Sequence, residues 1–172
     1  MLPKINKILY ATDLSANSAY ALRYALNSAI KNDAGIIILH VFEMISTTNR
    51  FALELYFDGD IRKKKYYEKV AETIDRIQKR LKKFCAKEFN GDTKYADRVE
   101  SIDVCEGFPA EEILKKADQF SCDEIVMGTH GKGFITHAFL GSTAKRVLRR
   151  TRKPVFIIPL PKGETDITFH DL

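Results

Sequence analysis

Apolar residues along the chain alternate between two periods. Short runs with apolar residues on both sides occur at 5–11, 36–42, Glu124–Gly128 and Val155–Ile158, with a weaker alternation of Val99, Ile102 and Val104 in 98–105. Each predicts a strand, and Ile36-Ile37-Ile38-Leu39-His40-Val41-Phe42 is apolar enough to be covered on both faces. Between these runs the spacing is helical. Ala19, Leu22, Leu26 and Ala29 mark one face of a helix that Ser15 can cap and that ends near Asn32. Val70, Ile74, Ile77, Leu81 and Phe84 mark a second, ending near Asn90-Gly91. Pro109 opens a third, with Glu111 and Glu112 in its first turn and Ile113, Leu114, Ala117 and Phe120 as its stripe. Residues 142–151 form a fourth.

Strand and helix in strict alternation force parallel pairing through right-handed crossovers. The expected fold is therefore a doubly wound, five-stranded α/β sheet with helices on both faces. Ligands of such sheets sit beyond the carboxyl ends of the strands, where the winding reverses. That singles out the turns after the first, second and fourth strands. Residues 43–61 break the alternation with a long connection containing Phe51, Leu53, Leu55, Tyr56 and Phe57, which suits a lid or a partner contact. Residues 161–172 have no periodicity and read as a flexible tail after one domain spanning 1–160.

Composition changes this picture little. At 172 residues, 45% hydrophobic and 30% charged, the chain suits one globular domain. It has no apolar run of membrane length and no signal-type start, so the expected location is the cytoplasm. Cys85, Cys105 and Cys122 are far apart in sequence and suggest neither a disulfide framework nor a zinc site. The net charge of +5 raises the question of nucleic acid, with Arg62-Lys63-Lys64-Lys65 and Lys145-Arg146, Arg149-Arg150, Arg152-Lys153 as its basic clusters. Basic runs on amphipathic helices are usually solvated faces, which makes this the weaker reading.

The chemistry concentrates after the fourth strand. From Met127 the chain reads Gly128-Thr129-His130-Gly131-Lys132-Gly133 and later Gly141-Ser142-Thr143. Glycines allow close backbone approach to a phosphate, and a helix opened by Gly141-Ser142 offers free N–H groups to an anion. Ser142 and Thr143 add hydroxyls. Gly131-Lys132 is not followed by Ser or Thr, so this is no Walker A loop. Thr136 stands where a dinucleotide fingerprint needs its third glycine, and neither a Gly-x-Ser-x-Gly elbow nor an HExxH helix occurs.

The spacing Gly128-x2-Gly131-x9-Gly141-Ser142 is similar to the G-x2-G-x9-G-[S/T] signature of the ATP-binding branch of the universal stress protein family. The blocks Ile8-Leu9-Tyr10-Ala11-Thr12-Asp13, Ile38-Leu39-His40-Val41, Gly107-Phe108-Pro109-Ala110-Glu111-Glu112-Ile113 and Lys153-Pro154-Val155-Phe156-Ile157-Ile158-Pro159 resemble the same family. The resemblance implies a Rossmann-like, adenine nucleotide alpha-hydrolase-like sheet of order 3-2-1-4-5. It implies ATP as ligand, with Mg or Mn held through the phosphates rather than by the protein. Gly128, Gly131, Gly141, Ser142 and Thr143 would then surround ribose and phosphates, and Ala11, Thr12, Asp13 and Val41 would lie on the adenosine side; Met127 and Lys132, in the same loop, are also expected to bind the nucleotide. It also implies a homodimer paired through Val155, Phe156, Ile157 and Ile158.

One departure is Ala11 where the family often carries Pro before Thr-Asp, which puts affinity in question. Lys132 either neutralises phosphate or points to solvent, Asp13 either serves the ligand or caps the turn, and His40 reads as a hydrogen-bonded core residue. The leading expectation is a nucleotide-dependent stress-response module with no catalytic residue. The alternatives are a slow Mg²⁺-dependent ATPase or phosphotransferase using Asp13 and Lys132, and a basic nucleic-acid-associated protein.

Overall fold

The central strand is β1 (Lys7–Thr12), whose residues Ile8, Leu9 and Tyr10 are at most 1% exposed. In the computed structural model, which describes residues 2–43, 60–129 and 140–159, β1 lies between β2 (Gly35–Phe42) and β4 (Glu124–Gly128). Outside these come β3 (Val99–Glu106) and β5 (Val155–Ile158). Every pairing is parallel and the order is β3-β2-β1-β4-β5, as the sequence resemblance implies.

Period-2 alternation divides the apolar residues between two layers. Ile8, Tyr10, Ile36 and Ile38 face α1 (Ala16–Asn32) and α2 (Asp60–Phe89). Leu9, Ala11, Ile37 and Leu39 face α4 (Pro109–Gln119) and α5 (Ser142–Arg150), which is why the strand sequences are almost continuously apolar. Each fully buried Ile or Leu contributes about 1.5–3 kcal/mol of transfer free energy.

The helix ends follow local chemistry. At α1, Ser15 and Ser18 form a reciprocal capping box, and Asp33 closes the helix in the left-handed conformation, φ 55°. Pro109 occupies the first turn of α4, ahead of Glu111 and Glu112. Helix α2 buries Leu81, Phe84, Cys85 and Phe89, whereas Ile74 and Ile77 are half-buried and Lys63, Lys64 and Lys65 are exposed, so its carboxyl half docks it.

Periodicity alone did not reveal the four-residue helix α3 (Thr93–Ala96), capped by Asp92, because a single turn shows no period. Most of the 43–61 connection and the 161–172 tail lie outside the described residues. Among the described residues no helix is long and apolar enough to cross a membrane.

Candidate functional site

The turn after β1 is held by a chain of polar contacts beginning in the core. The Tyr10 hydroxyl donates to the Ser18 carbonyl at 2.5 Å, and Thr12 Oγ1 lies 2.9 Å from Ser18 Oγ. The Leu14 N–H donates to Thr12 Oγ1 at 3.1 Å. His40, 5% exposed, places Nδ1 2.8 Å from the Thr12 carbonyl; a carbonyl only accepts, so Nδ1 carries the proton. His40 is thus the hydrogen-bonded core residue that its place on a buried strand suggests.

Asp13 Oδ1 accepts from the Ser15 N–H at 3.1 Å and from the Ser15 hydroxyl at 2.6 Å. Leu14 adopts a left-handed backbone, φ 63°, unusual for a branched side chain, and its buried side chain anchors the turn in the core. The turn is therefore fixed before any ligand arrives.

Over this turn opens a hollow at the carboxyl ends of β1, β2 and β4. Ala11, Thr12, Asp13, Val41, Met127, Gly128 and Thr143, all anticipated in the sequence, line it together. Register explains the convergence: Ala11 is opposite Leu39 in β2 and opposite Met127 in β4, so these residues share one face at one height. The cavity volume is about 120 Å³. That is below the roughly 300–1,000 Å³ of most small-molecule sites, so the hollow encloses one part of a ligand and leaves the rest across its mouth.

One wall of the mouth is the start of α5. The first helical hydrogen bond runs from the Lys145 N–H to the Gly141 carbonyl at 3.0 Å. The amides of Ser142, Thr143 and Ala144 therefore precede the intrahelical ladder, and no side chain caps Gly141. No acidic residue occupies the first turn. This end offers donors and a positive dipole to an anion. Ser142 is exposed beside the hollow and Thr143 lines it.

Two glycines act differently from a simple phosphate-loop picture. Gly141 has ordinary extended backbone, φ −64° and ψ 157°, and its N–H is bound to the Thr129 carbonyl at 2.7 Å. Its glycine character is not required by the turn. Gly128 is required by packing: a Cβ there would lie 2.9 Å from Cγ and Oδ1 of Asn17. Gly131 and Lys132, with His130, lie outside the described residues.

Sequence reading missed Asn17, whose buried amide donates from Nδ2 to the Ile158 carbonyl and accepts on Oδ1 from the Thr129 hydroxyl, both at 3.0 Å. It ties α1 to the ends of β4 and β5. An Asn in the first turn of a helix resembles any solvent-facing residue, so no local signal marks it. Leu39, Pro109 and Ile113 complete the apolar wall. Leu39 was findable, being two residues before Val41 on the same strand face. Among the described residues no group of three or more His, Cys, Asp or Glu side chains could hold a metal. Burial pushes the thiols of Cys105 and Cys122 up to about 11 and that of Cys85 up to about 12, so none is a nucleophile at neutral pH.

Comparison with known proteins agrees with this fold. The family model for the universal stress protein family matches residues 4–159. The chain is 31% identical over 158 residues to the universal stress protein YxiE of Bacillus subtilis, covering 89% of this chain and 98% of that one. It is 29% identical over 164 residues to the universal stress protein MJ0577 of Methanocaldococcus jannaschii, covering 88% and 93%. The solved structure of MJ0577 superposes with a TM-score of 0.62 over 94% of this chain and all of the other. A universal stress protein solved in complex with cAMP shares the fold at 19% identity, with a TM-score of 0.56 over 92% and 100%. A parallel sheet of this order, the polar turn after its first strand and a family match across nearly the whole chain meet in one assignment: the chain belongs to the universal stress protein family.

Proposed function

We propose that the chain binds an adenine nucleotide, ATP best of all, with the base in the hollow over β1, β2 and β4 and the phosphates towards the amino end of α5. The observation that carries this is the convergence of seven sequence-anticipated residues on one hollow whose mouth is walled by an uncapped helix start. The apolar walls from Val41, Leu39 and Met127 suit a planar base, and the amides of Ser142, Thr143 and Ala144 suit phosphate oxygens. A divalent cation, Mg²⁺ or Mn²⁺, would ride on the phosphates. The chain then acts as a stress-response module whose conformation or partner choice follows nucleotide occupancy. Asp13 serves to hold its own turn through Ser15, which favours a binding role over turnover.

Calorimetry tests this reading. ATP should bind more tightly than AMP, and AMP more tightly than adenosine. Gly141→Val should weaken ATP by on the order of 2–3 kcal/mol, the scale of lost charge-assisted hydrogen bonds, and adenosine far less. The backbone angles at Gly141 are ones a valine adopts, so the variant should keep its circular dichroism spectrum. A folded Gly141→Val protein that binds ATP as wild type does would remove the phosphate from this end of α5.

A further inference from the structure

The carboxyl half of α5 carries charge that the nucleotide reading does not use. Residues 142–153 hold Lys145, Arg146, Arg149, Arg150, Arg152 and Lys153 and no carboxylate, against a net charge of +5 for the whole chain. Helix α2 also has a positive balance, but over thirty residues with five carboxylates interleaved, and Asp75 pairs Lys79 at 2.7 Å. Around α5 compensation is sparse. Arg150 pairs Glu111 at 3.3 Å and Lys153 pairs Asp118 at 3.2 Å, both with exposed carboxylates. Among the described residues Lys145, Arg146, Arg149 and Arg152 have no ion-pair partner.

The surface beside these residues is concave. A hollow of about 300 Å³ between the start of α4 and α5 is lined by Phe108, Glu111, Arg146 and Arg150. A second, of about 460 Å³, lies at the carboxyl ends of both helices and is lined by Asp118, Arg150, Thr151, Arg152 and Lys153. Arg150 borders both, so the hollows form two stations along one line. Both exceed the hollow over β1. Arginine dominates, and its planar fork matches phosphate oxygens in a way lysine's point charge does not. Phe108, half-buried at the first station, presents an aromatic surface of the kind bases stack on.

We propose that the line of α4–α5 hollows bordered by Arg146, Arg150 and Arg152 binds the phosphate backbone of single-stranded nucleic acid. Two hollows that meet at Arg150 suit one strand better than a duplex, which would have to lie across the surface. Glu111 and Asp118 sit in the stations and disfavour an anion there, so binding is modest and depends on the unpaired arginines. No residue lining either station lines the nucleotide hollow, and the proposal does not depend on that reading.

The test uses the full chain and a fluorescein-labelled 12-nucleotide oligo(U), read by anisotropy across a KCl series. Wild type should bind with a dissociation constant of roughly 10 µM at 50 mM KCl, weakening steeply as salt rises. R146Q/R150Q/R152Q should weaken it at least tenfold and reduce the log–log salt slope by about 2, since each lost phosphate contact on a single strand contributes about 0.7. The variant should bind ATP as wild type does. If the triple variant fails to fold, Arg146→Gln alone should lower the slope by about 0.7. K63Q/K64Q/K65Q on α2 should change little. No binding at 50 mM KCl, loss through the α2 variant instead, or binding only to phosphatidylserine vesicles would each overturn the proposal.

Discussion

Asn17 and Gly128 form one unit, because the amide that bridges Ile158 and Thr129 fills the space a side chain at 128 would need. Gly128→Ala places its Cβ 2.9 Å from Asn17 Cγ and 3.3 Å from the Asn17 backbone carbon. Overpacking of that kind costs about 1–3 kcal/mol, or roughly 3–10 °C in Tm at this chain length. Asn17→Ala removes two buried hydrogen bonds, although the Ile158 carbonyl keeps the Thr129 N–H at 3.0 Å, and costs about 1–3 kcal/mol. In the Asn17→Ala background, Gly128→Ala should then cost less than about 1 kcal/mol, because most of the clash has gone. Thermal melts of the four proteins decide this; additive losses would mean that Gly128 answers to something other than Asn17.

At the scale of elements, strands and long helices were legible because each carries its own period: β4 and β5 were placed to the residue, and Ser15 announced α1 by its cap. The short helix α3 and the Asn17 bridge were not legible, since one is below a period and the other joins positions 112 and 141 residues apart. Of the site, the residues on strand ends were readable once the sheet was, whereas the reason for Gly128 needed three dimensions. One core residue against pattern is Glu124, which opens β4 and is fully buried between that strand and α1. Its Oε1 accepts from Ser28 Oγ at 3.2 Å, and Oε2 has no hydrogen-bond partner among the described residues. Burial holds this carboxyl above its usual 4.5. The folded chain therefore keeps the proton after the unfolded chain has released it, and stability falls as pH rises from 4.5 through the raised value. Glu124→Gln keeps the acceptor for Ser28 and cannot ionise. The Tm of Glu124→Gln relative to wild type should rise between pH 4 and pH 7; a constant difference would show that this proton is not linked to folding.

For the molecule as a whole, the two edges of the sheet are unlike. The β3 edge carries Glu100, Asp103 and Glu106, engaged by Lys7, Lys116 and Tyr66. Charged residues of this kind blunt an edge against further pairing. The β5 edge is Val155-Phe156-Ile157-Ile158, wholly apolar, with Phe156 50% exposed. Among the described residues no strand pairs its outer side, and it is only four residues long, bracketed by Pro154 and Pro159, so backbone pairing alone would make a weak contact. Side chains must supply the rest, and Phe156 is the largest one available on that strand. We propose a homodimer through β5, with Phe156 near its centre. Phe156→Glu is the informative change: Val155 and Ile157 pack against the α4–α5 layer and Ile158 against the other, whereas Phe156 lies outside both. The variant should keep the fold and its melting curve while placing like charges opposite one another across a twofold axis. Sedimentation velocity at tens of micromolar should show wild type near twice the monomer mass and Phe156→Glu near the monomer mass. A variant that sediments as wild type does would move the contact off this edge, and a monomeric wild type would leave the apolar strand to some other partner.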